Sequence, residues 1–156
     1  LLFLFIIINN MSNCNFKELL GKVIIKVYQT YDEPEIIHFY TSDGAIYQQY
    51  HNQDCGEYVT VEDIDGDLSD LIGYPLLQAE ESSSDDSSGR YESATWTFYK
   101  LATIKGYVTI RWHGSSNGYY SEGVDFYRIR DKYPIKELRK MKIDKLNEKD
   151  NDNGLY

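Results

Sequence analysis

The sequence predicts a β-rich α+β fold: an antiparallel sheet curled into a small barrel or sandwich, with short N-terminal and mid-chain helices and a C-terminal helix. Three observations predict it. Short runs alternate apolar with polar side chains, the period-2 signature of half-buried strands. The turns between them are of hairpin length and rich in Gly, Asp and Asn, with no room for the crossover of a dozen or more residues that parallel strands require. Aromatic residues reach 15% of the chain, and 15 of its residues are Tyr, a composition that suits pleated surfaces. A length of 156 residues with 42% hydrophobic content is that of one domain.

Each element follows from local chemistry. Asn15 to Gly21 reads as the N-terminal helix, with an Asn cap before Phe16 and a Gly stop. Lys22 to Tyr28 is a strand in which Val23, Ile25 and Val27 alternate with Lys22, Lys26 and Tyr28, broken only by Ile24. Glu35 to Thr41 and Ala45 to Tyr50 flank Ser42-Asp43-Gly44, whose Asp-Gly pair favours the positive φ of a tight hairpin. Glu57 to Ile64 alternates again and is stopped by Asp65-Gly66, after which Asp67 caps a short helix that ends at Gly73. Pro75 restarts the chain as a strand over Leu76 to Glu81. Ser82 to Gly89 has nothing apolar to bury, so a mobile loop is expected there.

Thr95 to Ile104 and Tyr107 to His113 flank Lys105-Gly106 as a long hairpin. Its second strand sets Val108, Ile110 and Trp112 opposite Tyr107, Thr109, Arg111 and His113. Asn117-Gly118 turns towards a last strand, Gly123 to Ile129. Pro134 suits the first position of a helix over 134–149, with Ile135, Leu138 and Met141 near one face. A single β-rich domain is thus expected over 11–133, with a disordered tail over 150–156. Leu1 to Asn10, ahead of an initiator-like Met11, reads as a non-native leader, too short for a membrane span and without a basic start.

With 25 acidic residues against 16 basic ones, the net charge is −9. That balance argues against a nucleic-acid coat or a surface held on anionic lipid. Asp54 to Glu92 holds twelve acids and one base, whereas Arg128 to Lys149 holds nine bases and four acids. A solvated acidic face explains the first region, and a partner-binding surface is the functional alternative, carried by Asp63, Asp65, Asp67, Asp70, Tyr119 and Tyr120. Direct nucleic-acid binding and membrane association are not expected. Cys14 and Cys55 lie far apart with no paired spacing, which points to a reducing cytoplasm without a disulfide framework.

Two stretches invite chemistry. Asp63-Ile64-Asp65-Gly66-Asp67-Leu68-Ser69-Asp70 carries the closely spaced carboxylates a hard cation wants, but Gly66 precedes Asp67 and no closing Glu follows, so the calcium-loop pattern fails. His51, Asp54, Cys55 and Glu57 bring an imidazole, a thiol and two carboxylates within seven residues. They form the alternative site, either a metal centre or a Cys nucleophile activated by His51 or His113. The zinc spacings are missing, and a small thiol in a strand-connecting turn is the plain alternative. No resident metal or cofactor is expected. Around Trp112 and His113, Ser116 to Ser121 offers a stacking surface, or simply a turn beside a core Trp.

The block from His51 to Glu57, then Val61 to Gly73, Pro75 to Glu81 and Thr95 to Trp112, resembles a small uncharacterised family that occurs mainly in tailed phages and bacterial prophages. The resemblance spans roughly Leu19 to Ile129. Where that family carries two adjacent cysteines before the glutamate, this chain has Cys55-Gly56, so a role requiring both thiols is not implied. What the resemblance implies is context: a phage-encoded accessory protein in the bacterial cytoplasm, of a kind that acts by binding host proteins. With no convincing catalytic constellation, the expected function is binding of a host or phage macromolecule through the acidic and aromatic surface, with countering of host defence as a narrower version.

Overall fold

The computed structural model describes residues 11–32 and 34–129. Nine strands occur in chain order: β1 (Met11–Asn13), β2 (Ile24–Gln29), β3 (Ile36–Thr41), β4 (Ile46–Tyr50), β5 (Glu57–Asp65), β6 (Gln78–Asp85), β7 (Ser93–Thr103), β8 (Gly106–Ser116) and β9 (Asp125–Ile129). They form two sheets, a five-stranded one in the order β1-β9-β4-β3-β2 and a four-stranded one in the order β5-β8-β7-β6. All neighbours within them are antiparallel.

Among the described residues, this corrects the expectation of an α+β fold with one antiparallel sheet curled into a small barrel or sandwich and short helices attached. The sheets do not close into a barrel, and the two expected helices are single 3-10 turns, Phe16–Leu19 and Leu68–Leu71. The reason is the spacing of what must be buried. Phe16 and Leu19 are both fully buried, as is Leu71 three residues after half-buried Leu68, and a period of three stacks positions i and i+3 on one side. The caps are those read from the sequence: Asn15 accepts from Lys17 N–H, and Asp67 accepts from Ser69 N–H at 2.8 Å. The expected C-terminal helix over 134–149, the tail over 150–156 and the leader over 1–10 lie outside the described residues.

The hairpins stand where turn chemistry places them. β3 and β4 pair Phe39 with Tyr47, and Gly44 at the turn takes φ +88°. β7 and β8 pair along eleven residues each. Ser82 to Asp85 is not a loop: these residues prolong β6, with Ser84 opposite Trp96 and Asp85 opposite Thr95. A polar strand with exposed side chains buries little, so pairing with the long β7 is what holds it extended.

Both sheets contribute to one core. Ile37, Phe39, Tyr47 and Phe126 come from the first, and Val59, Tyr99, Leu101, Val108, Ile110 and Trp112 from the second. Phe16 sits between them, its ring 4.7 Å from Tyr99, 5.0 Å from Phe126 and 6.4 Å from Phe39. Burying such a side chain stabilises by about 2–3 kcal/mol. The chain crosses between the sheets from Tyr50 to Glu57 and again from Ser116 to Asp125, and these two crossings carry the first candidate site.

Candidate functional site

His51, at the end of the first crossing's strand, is 5% exposed. Its Nδ1 lies 2.7 Å from the Gly123 carbonyl oxygen and its Nε2 lies 3.1 Å from Glu57 Oε1. The imidazole is thus held between a backbone carbonyl on one side and a carboxylate on the other. Glu57 Oε1 also accepts the Asp54 backbone N–H at 2.5 Å. Burial pushes the Glu57 carboxyl up, but the bonds from His51 and from Asp54 N–H outweigh it and hold it below its ordinary range. Gln53 bridges both backbone groups of Val59, so the whole crossing is fastened.

Of the four residues, His51 and Glu57 meet through their side chains, Asp54 joins by its backbone N–H, and Cys55 turns its thiol to Tyr120 of the second crossing. Its hydroxyl lies 3.3 Å from Cys55 Sγ, and its ring covers Gly56 so closely that a Cβ there would meet Tyr120 Cε2 at 2.0 Å. Cys55 itself is exposed. The arrangement is not that of an activated thiol, because both His51 nitrogens face other partners. His113, the other candidate base, bonds Asp86 Oδ2 at 2.9 Å. Among the described residues no three His, Cys, Asp or Glu side chains converge as a metal ion would need. What the cluster does do is join the sheets: a strand end of one, a strand start of the other and a return loop meet on one imidazole.

The acidic and tyrosine set is spread out. Asp63 faces Arg111 through two hydrogen bonds from the guanidinium, which hold its carboxyl below the usual range. Asp65 is exposed at the end of β5, Asp67 caps the second 3-10 turn, and Asp70 lies against Gly106 at the β7–β8 hairpin. Tyr119 is 92% exposed in the second crossing. β5 sets Glu57 opposite Ser116 and Asp65 opposite Thr109, so the acids end at one extremity of the second sheet and the tyrosines lie at the other. Eight steps of strand separate them, about 25 Å.

A second grouping occupies the outer face of that sheet. Trp96, Phe98, Arg111 and His113 are half-buried and point away from the core, with Trp96 4.5 Å from His113 and 6.4 Å from Phe98, ring centre to ring centre. The Arg111 guanidinium lies 5.9 Å from the Trp96 ring. Tyr91, half exposed, packs 5.3 Å from His113. Beside it opens a groove of about 420 Å³, with Tyr58, Tyr91, Glu92 and Asn117 on its walls. Acids border the face: Asp63 beside Arg111, Glu62 and Asp65 on β5, and Glu80 opposite Lys100 on β6. Asp86 anchors His113, its carboxyl held low by the Ser88 backbone N–H and by the imidazole.

Sequence reasoning did not single out Trp96, Phe98, Tyr91 or Asp86. β7 is apolar on both faces, with Thr97, Tyr99 and Leu101 buried opposite Trp96 and Phe98, so alternation alone does not say which face turns inward. Trp112, by contrast, is buried as its alternation with Val108 and Ile110 predicts.

Among the described residues no helix is long and apolar enough to cross a membrane. No curated protein and no solved structure matches the chain. One family does match, described as Domain of unknown function (DUF7448), over residues 17–126. That span takes in the second 3-10 turn, the His51–Glu57 crossing and the outer aromatic face, and the chain belongs to this family of uncharacterised domains.

Proposed function

We propose that the chain is a non-enzymatic binding module, a phage- or prophage-encoded accessory protein of the bacterial cytoplasm that docks a host or phage protein on the outer face of its second sheet. One observation carries the reading: Trp96, Phe98, Arg111 and Tyr91 lie together on the side of the sheet turned from the core, within an acidic border. Aromatic and Arg side chains in such a patch are the residues that anchor interfaces, because each loses much apolar area to a partner while keeping a polar or cationic contact. The net charge of −9 favours a basic protein surface over nucleic acid as the partner. Countering host defence is a narrower form of the same reading.

The test is affinity purification from bacterial lysate, with and without phage infection, run in parallel on the native chain and a Trp96→Ala, Phe98→Ala variant. A stoichiometric, salt-sensitive partner held by the native chain and lost by the variant supports the proposal. Equal retention by both removes the outer face as the docking surface. Expression that leaves infecting phage unprotected removes the anti-defence form alone.

A further inference from the structure

Among the described residues, β6 is the terminal strand of its sheet, paired with β7 alone, over eight residues and without a register shift. The other three terminal strands are short or blocked. β1 has three residues. β2 shifts register between Ile24 and Lys26 and exposes Lys26. β5 shifts register between Val61 and Asp63, and its Val61 N–H already donates to Glu35 Oε2 at 2.7 Å. Bulges, lysines, prolines and shortness are among the devices by which sheet edges avoid recruiting further strands. β6 has no bulge, no Lys and no Pro.

Its backbone is also turned the right way. Asp86 N–H donates to the Ala94 carbonyl directly opposite at 2.8 Å, so by the alternation of antiparallel pairs the even-numbered residues bond to β7. Glu81, Ser83 and Asp85 then aim their N–H and C=O groups at the free edge, and all three residues are exposed. The first 3-10 turn packs against β6, leaving an open notch of about 270 Å³ lined by Asn15, Lys17, Glu81, Ser82 and Ser83.

We infer that β6 is a docking edge for an extended basic segment of a partner protein, added as a further strand of the second sheet. The inference rests on the binding-module reading and names its docking mode. Main-chain bonds supply the affinity of such an addition, and alternate side chains supply its selectivity. Here the selecting charges are Glu80 on one face and Asp85 on the other, with Glu81 behind Asp85 and opposite the core residue Tyr99, and they match Lys or Arg in the incoming strand. A second copy would set these same acids against each other.

The experiment titrates the full chain with three capped decapeptides: alternating Lys-Val, alternating Glu-Val, and Lys-Val methylated on alternate backbone nitrogens. Amide exchange is followed residue by residue by NMR. The Lys-Val peptide should bind and slow exchange at Ser83 and Asp85 at least tenfold, and the other two peptides should not. The pair Glu81→Lys, Asp85→Lys and, separately, Ser83→Pro should each weaken binding at least tenfold, whereas Trp96→Ala should not. If Ser83→Pro does not fold, the lysine pair carries the test. Peptide binding without new protection at Ser83 and Asp85 overturns the inference, as does protection that arises from concentration alone, which would mean that β6 pairs with a second copy. β6 protection together with a natural partner indifferent to Trp96 and Phe98 sinks the outer-face reading and leaves the edge standing.

Discussion

Trp112 offers the sharpest check on how the core is built. It is 1% exposed, its indole N–H donates to Gln49 Oε1 at 3.3 Å, and the other end of that amide, Gln49 Nε2, is buried without a hydrogen-bond partner among the described residues. Trp112→Phe removes roughly 40 Å³ of side chain, and a void of that size costs about 1 kcal/mol at ~24 cal/mol per Å³. The lost apolar burial adds about 1 kcal/mol. Leaving Gln49 Oε1 unpaired adds ~1–2 kcal/mol. The substitution should therefore destabilise by about 3–4 kcal/mol. Gln49→Leu added to Trp112→Phe removes both unpaired amide ends, so the double variant should recover about 2 kcal/mol over Trp112→Phe alone. Urea unfolding followed by circular dichroism measures both values. A loss below about 1 kcal/mol for the single variant, or a further loss on adding Gln49→Leu, would refute the reasoning, because the buried amide would then not be a polar liability.

Three further outcomes are expected. Burial raises the Asp125 carboxyl above its ordinary value, opposed by His51, so the folded state holds that proton more tightly than the unfolded chain and stability falls as pH rises from 3.8 through the raised folded value. Asp125→Asn should thus raise the urea midpoint at pH 7 and leave it unchanged at pH 3; an equal shift at both would show that ionisation is not the cause. Burial pushes the Cys14 thiol up to about 12, whereas Cys55 is exposed, so a thiol reagent at pH 8 should modify one cysteine rapidly and the other only on unfolding. Two equal rates would contradict this placement. Gly66 has φ +102° and a Cβ there would meet the Tyr107 carbonyl oxygen at 2.3 Å, while Gly21 at φ +78° has open space around it. Gly66→Ala should cost more than ~2 kcal/mol and Gly21→Ala about 1 kcal/mol, and thermal unfolding that ranks them the other way would sink the steric argument.

The hairpins were legible because their cause is local. In the β3–β4 turn, Asp43 accepts from Thr41 and from Ala45 N–H, and Gly44 supplies the positive φ, all within five residues. The two helix caps were legible for the same reason. The length and type of what they cap were not, since only contact with the core shows that Phe16 and Leu19, or Leu68 and Leu71, must lie on one side. Ser82 to Asp85 misled through composition: nothing in the segment demands a strand, and the demand comes from β7 across the ladder. At the candidate site, His51 and Glu57 could be grouped from sequence because six residues separate them. Gly123 and Tyr120, 72 and 65 residues from their partners, could not. The acidic string shows the opposite: Asp63, Asp65, Asp67 and Asp70 are neighbours in sequence, yet one pairs with Arg111, one caps a turn and one lies against a hairpin.

By itself, then, the amino-acid sequence determined most of the strands, their hairpin turns, the capping residues and the net charge. Each depends on alternation, on φ preferences or on charge summed along the chain, which are properties of neighbours. Tertiary structure decided how the strands divide between two sheets, which face of β7 turns outward, and which strand ends its sheet with an open edge. Those choices depend on which apolar faces can be buried together and which backbone groups find partners, and the answers come from residues far apart in the chain.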